Sequence, residues 1–281
     1  MQAEISARFR ALATRPESRE GLAEGALVLA AEMRPELDVE ASLAAIEALT
    51  ERIRPELEGT AGPSARVAAL NHAFFGNERF RGNQTHYEDP RNSDLEQVLA
   101  RRRGLPITLS ILWVDVARRL GLEAYGIGFP GHFLAKVVGL DDCPEGELIV
   151  DPFFARTLRE ADCAERLRAV LGEEDPPDPR PFLQPATAIE IYVRMLNNLK
   201  ILYLRAGDGL SALGCFDRIL LLAPEATAEL RDRGLLLERL DCIHAAIEDF
   251  DRYLARAGGA EDAAAIRRRR NALDQRKPAL H

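Results

Sequence analysis

Apolar and polar positions change their period along the chain, and those changes divide it into parts. Over residues 1–60 apolar residues recur at i, i+3 and i+4 through GLAEGALVLAAEM and again through VEASLAAIEALTERI, the stripe of amphipathic helices. Pro35 separates the two, and Asp38 stands where the second needs an N-cap. A third helix is predicted from Pro63 to Phe75. It leads into GNERFRGNQTHYEDPRNS, a polar loop too long for a simple connector and of a kind that lines sites. Ser93 and Glu96 have capping-box spacing ahead of a short helix through Val98 to Arg103. The next helix runs from Pro106, a residue favoured at the first helical position, to Gly121, with Leu109, Leu112, Trp113, Val116 and Leu120 as its inward face.

From Leu122 the period becomes two: AYGIGF, HFLAKVV and ELIVDPFF, broken by FPG and GLDDCPEG. Helices followed by strands in one unit predict an α+β fold with a small antiparallel sheet. EEDPPDPRPFLQP, residues 173–185, holds five prolines and reads as a linker. Beyond it the sequence repeats at a fixed spacing. Ala212 and Phe216 return as Ala246 and Phe250, and Leu196, Tyr203 and Ile219 return as Leu230, Leu237 and Tyr253. That spacing is the tetratricopeptide pattern of helix, turn, helix, here 193–226 and 227–260 with a capping helix after them. The expected division is 1–172 (helical lead 1–76, core 77–172), linker 173–185, and an all-α repeat domain 186–281.

With 47% hydrophobic and 29% charged residues, the 281-residue chain is expected to fold as a globular protein. A net charge of -8 and a pI near 5.3 argue against a nucleic-acid partner, although Arg101–Arg103 and Arg267–Arg270 are short basic runs. No apolar run is long enough for a membrane span, and the charges at Glu4, Arg8 and Arg10 interrupt any leader, so a cytoplasmic protein is expected. Cys143, Cys163, Cys215 and Cys242 form no CxxC pair and share no metal spacing with the five histidines. Neither a metal nor another cofactor is expected.

Two residues of the strand region carry candidate chemistry. If HFLAKVV and ELIVD pair around a turn centred near Asp141, positions summing to 283 face each other, and His132 lies opposite Asp151. Such a pair either orients a general base or ties a sheet together. Thr108 and Ser110 are hydroxyls near a helix N-terminus, about 200° and 40° around the helix from Pro106. Cys143 belongs to the hairpin loop, Cys163 to a polar helix as a surface or semi-buried thiol, and Cys215 and Cys242 to packing between repeat helices. His72 and His86 flank the polar loop without an assigned role.

FRGNQTHYEDPRNSDLEQVLARRRGLPITLS, FPGHFLAKV and IVDPF, followed by tetratricopeptide repeats, closely resemble the bacterial SirB family, over roughly residues 20–275. The helix, strand, GHFLAKV and IVDPF succession is similar to the transglutaminase-like core of papain-type enzymes. That resemblance implies a cysteine at the helix N-terminus, a histidine base matching His132 and an aspartate matching Asp151. The cysteine position falls on Pro106, which has no nucleophile. Asn83, Tyr87, Asp89, Pro90, Asn92 and Ser93 match the family motif and are expected to fold over the His132–Asp151 pair as a pocket.

Two functions are compatible with these residues. One is a non-catalytic transglutaminase-like module joined to repeats that bind a protein or peptide, a cytoplasmic adaptor or regulatory protein. The other is a hydrolase or acyl transferase using His132 and Asp151 with Ser110, Thr108, a water or a partner's thiol.

Overall fold

The computed structural model describes residues 2–12, 21–172, 174–175 and 177–276. Two compact units make up the chain, Met1–Met195 and Leu196–His281. In the first, helices α1 (Gln2–Leu12), α2 (Leu22–Met33), α3 (Val39–Leu57) and α4 (Pro63–Asn71) precede a short parallel pair, β1 (Arg81–Gly82) and β2 (Arg103–Gly104), that brackets α5 (Leu95–Arg101). Then come α6 (Pro106–Arg119), the meander β3 (Glu123–Ile127), β4 (Leu134–Val138), β5 (Glu147–Asp151) and β6 (Arg156–Leu158), and α7 (Glu160–Leu171). The α+β reading holds, including the antiparallel sheet.

Local chemistry explains most boundaries. The Asp38 carboxylate accepts from the Ala41 N–H at 3.0 Å and caps α3 as expected. α4 gives way at His72 to a π turn, His72–Asn77, where the sequence pattern suggested helix to Phe75. Asp94, rather than Ser93, caps α5, accepting from the Glu96 and Gln97 N–H groups; Ser93 is buried beside it. α6 corrects the amphipathic expectation. It is buried all round from Pro106 to Ala117, because β3 and β4 cover one side and α2, α3 and α5 the other.

The β4–β5 register also differs from the expected one. Ala135 pairs with Val150 and Lys136 with Ile149, so paired positions sum to 285 and His132 precedes the strand. Two successive tight turns shift the loop, closed by Cys143 N–H to the Leu140 carbonyl and Gly146 N–H to the Cys143 carbonyl, which centres it between Asp142 and Cys143. On the sheet face away from α6, Ile127, Leu134, Ile149 and Leu158 pack with Cys163 and Leu167 of α7 and with Leu183. Cys163 is therefore a core residue, and burial pushes its thiol up to about 11. The end of the proline-rich segment meets β3, where Pro185 bridges Ile127 and the Ala186 N–H bonds the Gly126 carbonyl at 2.8 Å. Glu173 and Pro176 lie outside the described residues.

The boundary between the units falls inside α8 (Ala188–Ala206). The second unit continues with α9 (Gly209–Leu222), α10 (Thr227–Arg239), α11 (Ile243–Ala257) and α12 (Ala263–Arg276). The repeated positions are its core: Ala212, Phe216, Leu230, Leu237, Ala246, Phe250 and Tyr253 are all buried. Cys215 is buried among them, but Cys242 is exposed, because it caps α11 instead of lying within a helix. One position breaks the repeat. Lys200, buried, places its ammonium 4.6 Å from the centre of the Phe216 ring and pairs with Glu229. Its counterpart in the next repeat is Gly234, whose bare Cα lets Phe250 approach; a Cβ there would stand 2.6 Å from that ring.

Gly234→Ala adds about 1 kcal/mol of helix propensity, yet overpacking against Phe250 is expected to leave the variant about 2 kcal/mol less stable. Urea unfolding of the full chain measures this; a midpoint at or above that of the wild type contradicts the close approach.

Candidate functional site

His132 is positioned by the turn Phe129-Pro130-Gly131-His132. Its N–H returns to the Phe129 carbonyl at 3.1 Å, with proline second and Gly131 third at φ 65, the pattern of a type II turn. Asp151 ends β5 and precedes Pro152, and its Oδ1 accepts from the Phe153 and Phe154 N–H groups at 3.2 and 3.3 Å. The turn and the strand end bring the side chains together: His132 Nε2 lies 2.9 Å from Asp151 Oδ1. The other carboxylate oxygen, Oδ2, is 2.9 Å from Arg166 Nη2 of α7.

Asp151 is fully enclosed. Burial acts to raise its carboxyl, and is outweighed by the His132 hydrogen bond and by the charges of His132 and Arg166, which hold it below the usual aspartate range. His132 is 9% exposed. Phe154 stacks on its ring at 5.8 Å and Phe153 meets it edge-on at 5.9 Å. Arg194 donates to the His132 and Phe129 carbonyls at 2.7 and 3.1 Å and lies over the Phe133 ring.

The residues at the start of α6 are taken up by structure. Pro106 is buried at the first helical position. The Thr108 hydroxyl bonds the Asn92 carbonyl at 2.8 Å and accepts from the Leu105 N–H. Ser110 Oγ points to the Phe133 carbonyl at 3.4 Å, and both hydroxyls are fully buried. Of the cysteines, Cys143 bonds within its own hairpin and Cys163 is in the core. Among the described residues no group of three His, Cys, Asp or Glu side chains is placed to hold a metal ion.

The polar loop is organised around Asn92. Its amide donates to the His86 and Tyr87 carbonyls and accepts from Asn83, while its carbonyl receives Leu105 N–H and the Thr108 hydroxyl. Asn83 and Asn92 are therefore buried scaffolding, Ser93 is buried with an unpartnered hydroxyl, and Asp89 pairs with Arg91 and Arg101. A cavity of about 520 Å³ is lined by Asn83, Tyr87, Asp89 and their neighbours, but not by His132 or Asp151. Two contacts connect the loop to the pair. Tyr87 meets the Phe153 ring at 6.0 Å, and Gly82 N–H bonds the Phe153 carbonyl at 3.0 Å. Gly82 is required there, since a Cβ would lie 2.4 Å from that ring.

Arg166 escaped the sequence reading. It lies one position short of Leu167 on the stripe Cys163, Leu167, Val170, in a helix read as polar surface. A cation beside the buried side of a helix that follows a carboxylate-ended strand was the available signal.

The family model described as transglutaminase-like superfamily matches residues 40–197, and one for the tetratricopeptide repeat matches 199–271. The chain is 39% identical over 246 residues to a UPF0162 protein of Xylella fastidiosa, covering 86% of each chain. It is 25% identical to the UPF0162 protein YchA of Escherichia coli K12, over 97% of this chain and 100% of that one. To protein SirB1 of Salmonella typhimurium it is 25% identical, over 91% and 94%. No solved structure matches.

Asp151→Asn leaves Arg166 without its carboxylate and is expected to cost about 3 kcal/mol at neutral pH. Because the folded Asp151 titrates below its unfolded value, about 3.9, the stability it contributes is complete above that value and disappears as pH falls through the lower folded one. Denaturant unfolding of both proteins from pH 7 down to 3 checks this: the gap between them is expected to narrow only below about pH 4, and a gap unchanged at pH 3 contradicts the assignment.

Proposed function

The chain belongs to the transglutaminase-like superfamily, with tetratricopeptide repeats following the core, and from that footing we propose that it is a non-catalytic adaptor or regulatory protein. The observation that carries the reading is the missing nucleophile: Pro106 begins α6, and Thr108 and Ser110 behind it are buried and hydrogen-bonded to carbonyls. A histidine oriented by a carboxylate needs an attacking group in reach, and the side chains at the start of α6 supply none. The His132–Asp151 pair then serves architecture and recognition.

The second unit supplies partner binding in this reading, since tetratricopeptide arrays generally engage proteins through the surface formed by the first helix of each repeat. Ile201 of α8 is 46% exposed, whereas its counterpart in the next repeat, Leu235 of α10, is partly buried against the repeat core. An exposed apolar side chain on that helix suits an apolar partner segment. In the described residues no helix is long and apolar enough to cross a membrane.

Assay against aryl esters, thioesters and peptide amides is expected to give the same background for wild type and His132→Ala. In parallel, Ile201→Asp is expected to weaken partner capture from lysate by about tenfold or more. Turnover that disappears in a His132→Ala protein of unchanged circular dichroism would replace this reading with the hydrolase or acyl transferase.

A further inference from the structure

The surroundings of His132 are cationic and aromatic, in a chain whose net charge is -8. Arg156 and Arg166 lie over the half-exposed Phe154 ring, 5.5 and 5.6 Å from its centre. Arg194 is anchored beneath by the His132 and Phe129 carbonyls. Against these charges stands Asp151, with Oδ1 taken by His132 and two backbone N–H groups and Oδ2 by Arg166. One arm of Arg166 is left over: Nη1 is buried and has no hydrogen-bond partner. A buried charged donor without an acceptor is unfavourable until one arrives.

Apolar surface continues from Phe154 and Phe153. Tyr87 and Val170 are each 50% exposed and Phe154 45%. Tyr87 and Phe154 both contact Phe153, and a Cβ on Gly131, next to His132, would stand 3.2 Å from Val170. Exposed apolar side chains beside unsatisfied polar groups mark binding surfaces more often than scattered ones do.

We propose that this surface recognises an acidic peptide, with a carboxylate received by Arg166 and Arg156 and the adjoining apolar side chain resting on Phe154 and Tyr87. A carboxylate suits the site better than a phosphate. Arg166 already shares its charge with Asp151, so a monoanion completes the balance and a dianion beside the same carboxylate would be repelled. The apolar flank selects a peptide over a small acid. The proposal rests on the preceding reading in one respect: the bound peptide is held and not cleaved.

The test uses the full chain and a fluorescein-labelled hexapeptide ending Leu-Phe-Asp-Glu, followed by fluorescence anisotropy and by mass spectrometry of the peptide afterwards. Its Asn-Gln version with an amidated terminus should bind about tenfold more weakly or worse. Versions carrying only the terminal or only the side-chain carboxylates tell which source is used. Arg166→Gln also unpairs Asp151 and can unfold the protein, so the deciding variants are the exposed Arg156→Gln and Phe154→Ala, each expected to weaken binding about tenfold. Equal binding of the neutral peptide, no effect of either variant, or no binding at all overturns the proposal. Tighter binding of a phosphoserine version overturns the choice of ligand. A peptide recovered shortened overturns the non-catalytic reading instead and leaves the recognition site standing.

Discussion

A carboxylate sealed from water dictates the arrangement of the first unit. Asp151 must remain charged to be useful to its neighbours and must be fully solvated by protein to remain charged. Four donors do this, from three segments: the turn after β5, the turn before β4, and α7. The antiparallel meander places the first two at one end of the sheet, and α7, packed on the sheet, delivers the third. The core cluster of Leu134, Ile149, Leu158, Cys163 and Leu167 is the apolar counterpart of the same arrangement. Sheet, helix and ion pair are three descriptions of one packing solution.

The second organising element is Asn92. Its side chain and carbonyl together close the polar loop and hold the start of α6, so the segment that resembles an active-site approach has become a hydrogen-bonded joint. Thr108 is consumed by that joint. What is left facing outward is a ring of aromatic and basic side chains around an imidazole shielded by Phe154.

Features with a strong period were legible in the sequence. α2, α3 and the repeats show it because each buries one stripe, and the strands because each is a short apolar run bounded by turn residues. α6 misled because burial on every side erases the polar face that defines a stripe. The hairpin register slipped because a loop of two joined turns carries no single centre, and β6 went unseen because the short run from Arg156 to Leu158 is too brief to show alternation. His132 and Asp151 still met, since side chains reach across an error in register that backbone pairing does not forgive. Ser93 and Asp94 are both good caps, and which one serves depends on which is buried, a tertiary fact. Arg166 required knowing that α7 crosses the site.

The contrast between Lys200 and Gly234 gives the second unit a direction. The acid that meets the buried Lys200 is Glu229, from the following repeat, and the position equivalent to Glu229 in the first repeat is Met195. Copying the first repeat in tandem would thus set a methionine before each new ammonium and strand a charge in the interior. The second repeat, with glycine in that place, carries no such debt and can be copied onto itself. Lengthening this array by duplication therefore keeps its buried charge paired only when the second repeat is the unit copied.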